Sequence, residues 1–310
     1  MSSNAKEQRS VQEPISCVGV GLHSGKNVRL TLRPAPADHG VVFVRTDLTT
    51  PVAVPALSQY VVDTQLATTL GKGSVRVGTV EHLLAAVAGM GIDNLRVELD
   101  GPEVPIMDGS AAPFAELIRS AGLWSQSAPK RSLVIKKAVS VRDGDKEATL
   151  LPAARFRIDC TVDFRHPLIS DQSYQFELSD RAFSKDLSRA RTFGFLRDVE
   201  QLKKLGLAKG GSLENAVVVD EFSILNPEGL RFADEFARHK ALDALGDLSL
   251  LGHAVVGQLR VYKSGHALNH QLVQKVLSDP SCYELVSEVK PETERHELRL
   301  DIGGLEPVAA

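Results

Sequence analysis

The chemistry-bearing residues of this chain concentrate in two short stretches. In EGLRFADEFARHKALDALGDLSLLG, from Glu228 to Gly252, His239 and Asp243 stand one helical turn apart and Asp247 follows a turn later. The composition predicts a helix, opened by the turn Pro227-Glu228-Gly229 and stopped by Gly252. On that helix Phe232, Phe236, His239, Asp243 and Leu250 share one stripe, so an imidazole and a carboxylate emerge together from an apolar face. A divalent cation where they converge would offset the cost of burying them. Two ligands make no metal site, however, and on this helix alone the pair reads as an ordinary His-Asp contact. A catalytic zinc needs three protein ligands and an open position.

The second stretch is GTVEHLLAAVAG, from Gly78 to Gly89, a short apolar helix with Thr79 as N-cap and Gly89 or Gly91 as its stop. Taken alone, Glu81 is a carboxylate favoured by the helix dipole and His82 a core histidine. Beside His239 and Asp243, His82 completes a set of two histidines and one carboxylate, and Glu81 becomes the general base next to the metal. His266 follows Gly265 at a strand-to-helix junction, where Asp247 could hold it protonated. A cationic imidazole there would stabilise a tetrahedral oxyanion or protonate a departing amine. These groups together suit metal-assisted hydrolysis of an amide or ester.

The frame around them is ordinary for an enzyme. The chain has 310 residues, enough for two domains, with 43% hydrophobic and 24% charged residues. A net charge of -3 offers no basic field for nucleic acid, so a small-molecule partner is expected. Cys17, Cys160 and Cys282 have no C-x-x-C spacing, which argues against a disulfide framework or a cysteine zinc site and for a reducing compartment. The polar N-terminus lacks an apolar leader core, and no run approaches the ~18 apolar residues of a membrane span. The expectation is a cytoplasmic protein, monomeric by default.

In chain order, a flexible tail is expected over 1–13. Strands are predicted at Asn27 to Arg33, Val41 to Arg45 and Ile92 to Asp100, and Ser110 is a candidate N-cap for a helix running to about Gly122. The loop Gly19 to Gly25 (GVGLHSG) has neither P-loop nor G-x-G-x-x-G spacing. Ser125 to Lys130 reads as a polar connector, which places domain I at 14–127 and domain II at 128–290, with a charged C-terminal tail over 291–310. Further strands are expected at Leu133 to Ile135, Val139 to Val141, Arg155 to Val162, Tyr174 to Leu178, Ala216 to Val219 and Ala254 to Tyr262. Lys209 to Asn215 looks like a mobile loop. Strands followed by helix on each side of residue 128 suggest two α+β halves of similar plan.

Read together, GVGLHSG, Thr79 to Leu83 (TVEHL), Pro105 to Phe114 (PIMDGSAAPF), Ser188 to Phe195 (SRARTFGF), Gly229 to Asp247 with its H-K-x-x-D core, and Lys263 to Asn269 (KSGHALN) resemble the UDP-3-O-acyl-N-acetylglucosamine deacetylases of lipid A biosynthesis. The resemblance runs in order over about residues 12 to 290. It implies an α+β fold of two β-α-α-β layered sandwich domains, with helices packed at the domain interface and a small insert in each domain. It also implies catalytic zinc, with ferrous iron as a substitute, and removal of acetate from the N-acetyl group of the 3-O-acylated UDP-sugar.

On this resemblance His82, His239 and Asp243 are the metal ligands, Glu81 is the base, and His266 is the cationic partner supported by Asp247. Thr192 stabilises the oxyanion. Lys240, Lys263, Asp163, Phe164 and Lys146 contact the nucleotide sugar, and Phe193 packs on the sugar. An insert at about 195–216 would pass the acyl chain, with Leu207 and Val218 among its apolar residues. Many relatives carry a cysteine near the zinc where this chain has Ala67, so no thiolate competes for the metal here. Two alternatives share part of the pattern: a zinc amidohydrolase on another acylated sugar, and a non-catalytic sugar-nucleotide or acyl-chain binder.

Overall fold

A computed structural model describes residues 7–164 and 166–287. The alternation of NVRLTLRP buries Val28, Leu30 and Leu32 on one face of the strand Asn27–Pro34. That strand lies in a five-stranded sheet of order Ile15–Val20, Asn27–Pro34, Leu95–Leu99, Val41–Arg45, Val52–Pro55. Every pairing is antiparallel except that of Val41–Arg45 with Leu95–Leu99.

The second half repeats this plan. Its five-stranded sheet runs Val139–Asp143, Lys146–Leu151, Gln258–Tyr262, Arg157–Val162, Gln172–Glu177, and again a single pair, Arg157–Val162 with Gln258–Tyr262, is parallel. The chain is thus a mixed α and β protein.

Parallel neighbours need a crossover connection, and each crossover here carries helices. In chain order the helices are α1 (Glu81–Gly89), α2 (Ala112–Ser120), α3 (Asp180–Ala182), α4 (Leu196–Lys204), α5 (Glu235–Leu248) and α6 (His266–Ser278). The first crossover carries α1 and the second carries α3, α4 and α5. Helices α2 and α6 follow the last strand of each sheet.

Helix α1 packs directly on α5. The approach is tight at Gly246, where an added Cβ would overlap the carbonyl oxygen of Glu81. Leu83, Leu84, Phe236, Leu242 and Leu245 are buried in the common core.

Several expectations are corrected. The organising helix begins at Glu235 rather than Glu228, so Phe232 lies outside it; Leu250 falls in the 3-10 turn Ser249–Leu251, which Gly252 ends at φ +80°. The delayed start follows from Glu235, whose carboxylate accepts the backbone N–H of Arg231 and of Arg191 and holds the preceding residues as a loop. Thr79 is not an N-cap: it sits at φ +56° and donates its hydroxyl to Glu103, leaving Val80 at the cap of α1. Ser110 accepts from the N–H of Ala112, although the cap position itself is Ala111.

Part of the expected N-terminal tail is also structured. Glu7–Val11 is a strand paired with Leu123–Pro129, which overlaps the expected connector. Its buried polar side chains are satisfied by distant partners: Gln8 by Asp38 and Asn94, Ser10 by the N–H of Ala35. The strand expected over Ala254 to Tyr262 is divided at Gly257 into Ala254–Val256 and Gln258–Tyr262. The loop at Lys209 to Asn215 is anchored, with Lys209 and Gly210 donating to the carbonyls of His23 and Leu22. The expected C-terminal tail lies outside the described residues.

Candidate metal and acid–base site

His82 sits in the first turn of α1, and His239 and Asp243 face it from successive turns of α5; all three are buried. One ligand atom from each lies within 4.8 Å of the others. The Nε2 atoms of His82 and His239 stand 3.5 and 3.3 Å from Asp243 Oδ1.

His239 Nδ1 lies 3.1 Å from the carbonyl of Ala190, a contact in which the nitrogen donates, so Nε2 presents its lone pair to the carboxylate. Burial pushes the His239 pKa down to about 3, which keeps the ring neutral. Burial alone would raise Asp243, but its neighbours His239 and Lys240 keep it well below the usual carboxylate range. Asp243 Oδ1 and His82 Nδ1 are buried without a hydrogen-bond partner among the described residues. The His239 lone pair aimed at an unpartnered carboxylate oxygen, with His82 Nε2 beside it, fits a bound divalent cation, and two imidazoles with one carboxylate are a donor set that suits zinc or ferrous iron.

Beside this cluster stands an acid–base pair. His266 Nε2 is 3.9 Å from Glu81 Oε1, while His266 Nδ1 donates to Asp247 Oδ2 at 2.9 Å. Burial opposes a charge on His266, but the carboxylates of Asp247 and Glu81 outweigh it and lift the pKa to about 9. Burial also raises the Glu81 pKa, against the pull of His266 and His82. The pair therefore offers a carboxylate able to take a proton and an imidazolium able to give one.

The other expected site residues divide into groups. Phe193 packs edge-on against Phe236 and His239, with ring centroids 4.9 and 6.2 Å apart, and Phe164 packs on Phe193. Lys240 Nζ donates to Asp243 Oδ2 at 2.8 Å and lies over the Phe193 ring. Thr192 follows the loop that holds His239; its N–H donates to the Gly109 carbonyl. Lys263 pairs with Asp163 and Asp145, both at 2.9 Å, and exposed Lys146 opens the strand next to Asp145. Val218 lies in the short strand Val217–Val219, paired with Phe193–Phe195, and Leu207 follows α4; both are half-buried. Ala67 is buried.

Sequence reasoning passed over several participants. Arg191 is buried against Glu235, within the quoted SRARTFGF, and fixes the loop that presents the Ala190 carbonyl. Asn269 closes KSGHALN and donates to Asp247 Oδ2 at 2.9 Å. His23, in GVGLHSG, accepts from the N–H of Ala208 at 3.4 Å. Thr68 contacts both Glu81 and Asp247, and nothing in LATTL marks it. A cavity of about 390 Å³ lies elsewhere, between the C-terminal parts of α1 and α5, and holds none of the expected site residues. The buried chemistry described above, rather than cavity size, locates the site.

Comparison with known proteins points the same way. The family described as LpxC, UDP-3-O-acyl N-acetylglycosamine deacetylase, matches residues 8–278. A Myxococcus xanthus protein named UDP-3-O-acyl-N-acetylglucosamine deacetylase is 68% identical over 294 residues, 95% of this chain and 94% of its own. Proteins of the same name from Anaeromyxobacter sp. and Idiomarina loihiensis are 62% and 56% identical, covering 90% and 91% of this chain and 91% and 93% of theirs.

Proposed function

Because this chain belongs to the UDP-3-O-acyl-N-acetylglucosamine deacetylase family, we propose that it hydrolyses the N-acetyl group of UDP-3-O-acyl-N-acetylglucosamine, releasing acetate and the free amine in lipid A biosynthesis. The observation that carries this reading is the convergence of His82, His239 and Asp243 beside the Glu81–His266 pair. His82, His239 and Asp243 would hold zinc, or ferrous iron in its place. When bound, the cation supplies a Lewis acid for the acetamide carbonyl and acidifies the attacking water.

The chain's own residues do the rest. Glu81 takes the proton of the water as its oxygen adds to the acetyl carbon. The Thr192 hydroxyl and the His266 imidazolium stabilise the oxyanion of the tetrahedral intermediate. His266, held by Asp247, then gives its Nε2 proton to the nitrogen as the C–N bond breaks, leaving acetate and the amine.

The geometry also supports substrate placement. Phe193 and Lys240 border the ligand cluster and would meet the sugar, while Lys263, Asp163, Phe164 and Lys146 would meet the nucleotide. The acyl chain would run along the insert past Leu207 and Val218. The twofold repeat of sheet order supports two β-α-α-β layered domains with α1 and α5 at their interface. Among the described residues no helix is long and apolar enough to cross a membrane. We place the enzyme in the cytoplasm as a monomer acting on a small molecule.

Acetate release from UDP-3-O-acyl-N-acetylglucosamine tests the reading, measured before chelation, after it, and after return of one equivalent of zinc. Activity that disappears and returns supports it. Undiminished turnover after verified metal removal would sink the metal mechanism, and no turnover by folded, zinc-loaded protein would sink the substrate.

A further inference from the structure

Thr68 joins the two ends of the acid–base pair. Its backbone N–H donates to Glu81 Oε2 at 3.0 Å, and its hydroxyl donates to Asp247 Oδ1 at 2.6 Å. Asp247 Oδ2 accepts from His266 Nδ1, and His266 Nε2 faces Glu81 Oε1 at 3.9 Å. Glu81, His266, Asp247 and Thr68 therefore close a ring, in which Thr68 takes the oxygen of each carboxylate that points away from His266. The ring spans both halves of the chain, with Thr68 and Glu81 from the first and Asp247 and His266 from the second.

We infer that Thr68 is a positioning residue for the hydrolytic reaction, an inference that rests on the deacetylase reading above. By holding Glu81 Oε2 it turns Oε1 toward the site as the oxygen that receives the proton. By donating to Asp247 Oδ1 it fixes the plane of the carboxylate that orients His266. Its own place is tightly set: Thr68 is 1% exposed, and its carbonyl accepts the N–H of Val80 just before α1. A carboxylate oxygen accepts, so the Thr68 hydroxyl proton has a single direction, toward Asp247 Oδ1. Asn269 is a further donor to Asp247, on Oδ2, which leaves Oδ1 to Thr68 alone among the described residues.

The titratable groups facing His266 are Asp247 and Asp243 from α5, Glu81 from α1 and His23 from the Gly19 to Gly25 loop. Removing the Thr68 hydroxyl leaves Asp247 less neutralised, so its charge acts more strongly on His266.

The test compares Thr68→Val, which keeps the shape and the N–H but loses the hydroxyl, with Thr68→Ser, which keeps both donors. Thr68→Ala deletes the same hydroxyl with less bulk and carries the same expectation if the valine variant fails to fold. The hydroxyl-deleted variant should keep its metal content and KM, lose roughly tenfold in kcat, and move the alkaline limb of its pH profile upward. Serine should restore both. A titration of the His266 ring by NMR, which needs no substrate, should show the same upward shift. If the ring titration responds as expected while the zinc-loaded wild type leaves the UDP-sugar untouched, the positioning ring stands and the substrate reading falls. An unmoved ring titration and wild-type kcat in the hydroxyl-deleted variant, or a serine variant no better than it, would overturn the inference.

Discussion

Gly246 of α5 lies against the carbonyl of Glu81 in α1 with no room for a side chain between them. This contact sets how closely the helix bearing His82 approaches the helix bearing His239 and Asp243. Gly246→Ala should therefore force the helices apart. The expected loss is about 1–3 kcal/mol of stability, the usual scale for overpacking, together with weaker metal retention. Thermal unfolding and metal content measure both; a variant with wild-type melting and full metal occupancy would show that the contact is not limiting.

Glu81→Gln should keep the metal and the fold while losing catalysis by about 10²- to 10⁴-fold, the range for removal of a general base. The side chain keeps an acceptor for the Thr68 N–H but can no longer take a proton. Turnover near wild type by metal-loaded protein would remove Glu81 from the base role.

The pH profile should be bell-shaped. On the acid side Glu81 must be ionised, and its raised pKa places that limb above the ordinary carboxylate range. On the alkaline side His266 loses its proton near its pKa of about 9, and activity should decline there. His266→Gln should abolish the alkaline limb along with most of kcat.

The same proton has a stability consequence. The His266 pKa is raised in the folded chain, so its contribution to stability is fully present below about pH 6.5, the ordinary histidine value, and fades as pH rises through about 9. Urea unfolding of wild type and His266→Gln should show a stability difference that shrinks between those two values. A difference constant across that window would contradict the linkage.

Val218→Asp and Leu207→Asp should raise KM for acylated substrate by about tenfold or more and leave metal content unchanged, because each puts a charge where the aliphatic chain is proposed to run. An equal loss of metal would instead report disruption of the fold.

The candidate pair His239 and Asp243 is legible in the sequence because an imidazole and a carboxylate one turn apart on an apolar helix require a partner. Their convergence with His82 was legible only through the whole ordered set of motifs. What escaped depends on tertiary approach. Thr68 looks like any β-branched residue near a strand, and its role appears only when α1 docks on α5. The strand Glu7–Val11 reads as a polar tail because the partners of Gln8 and Ser10 lie far along the chain. The start of α5 is hidden in the sequence because Glu235, a good helix former, also captures Arg191 and Arg231 from outside the helix.

The candidate ligand cluster draws His82 from one half of the chain and His239 and Asp243 from the other. A ribosome that has finished the first sheet has therefore released only one ligand, and the cluster cannot close until α5 has emerged and settled against α1. Cation capture would then be among the last events of the protein's maturation, a latch that engages only after the two halves have met, since contacts between distant segments form late and a bound ion adds its affinity to the folded state.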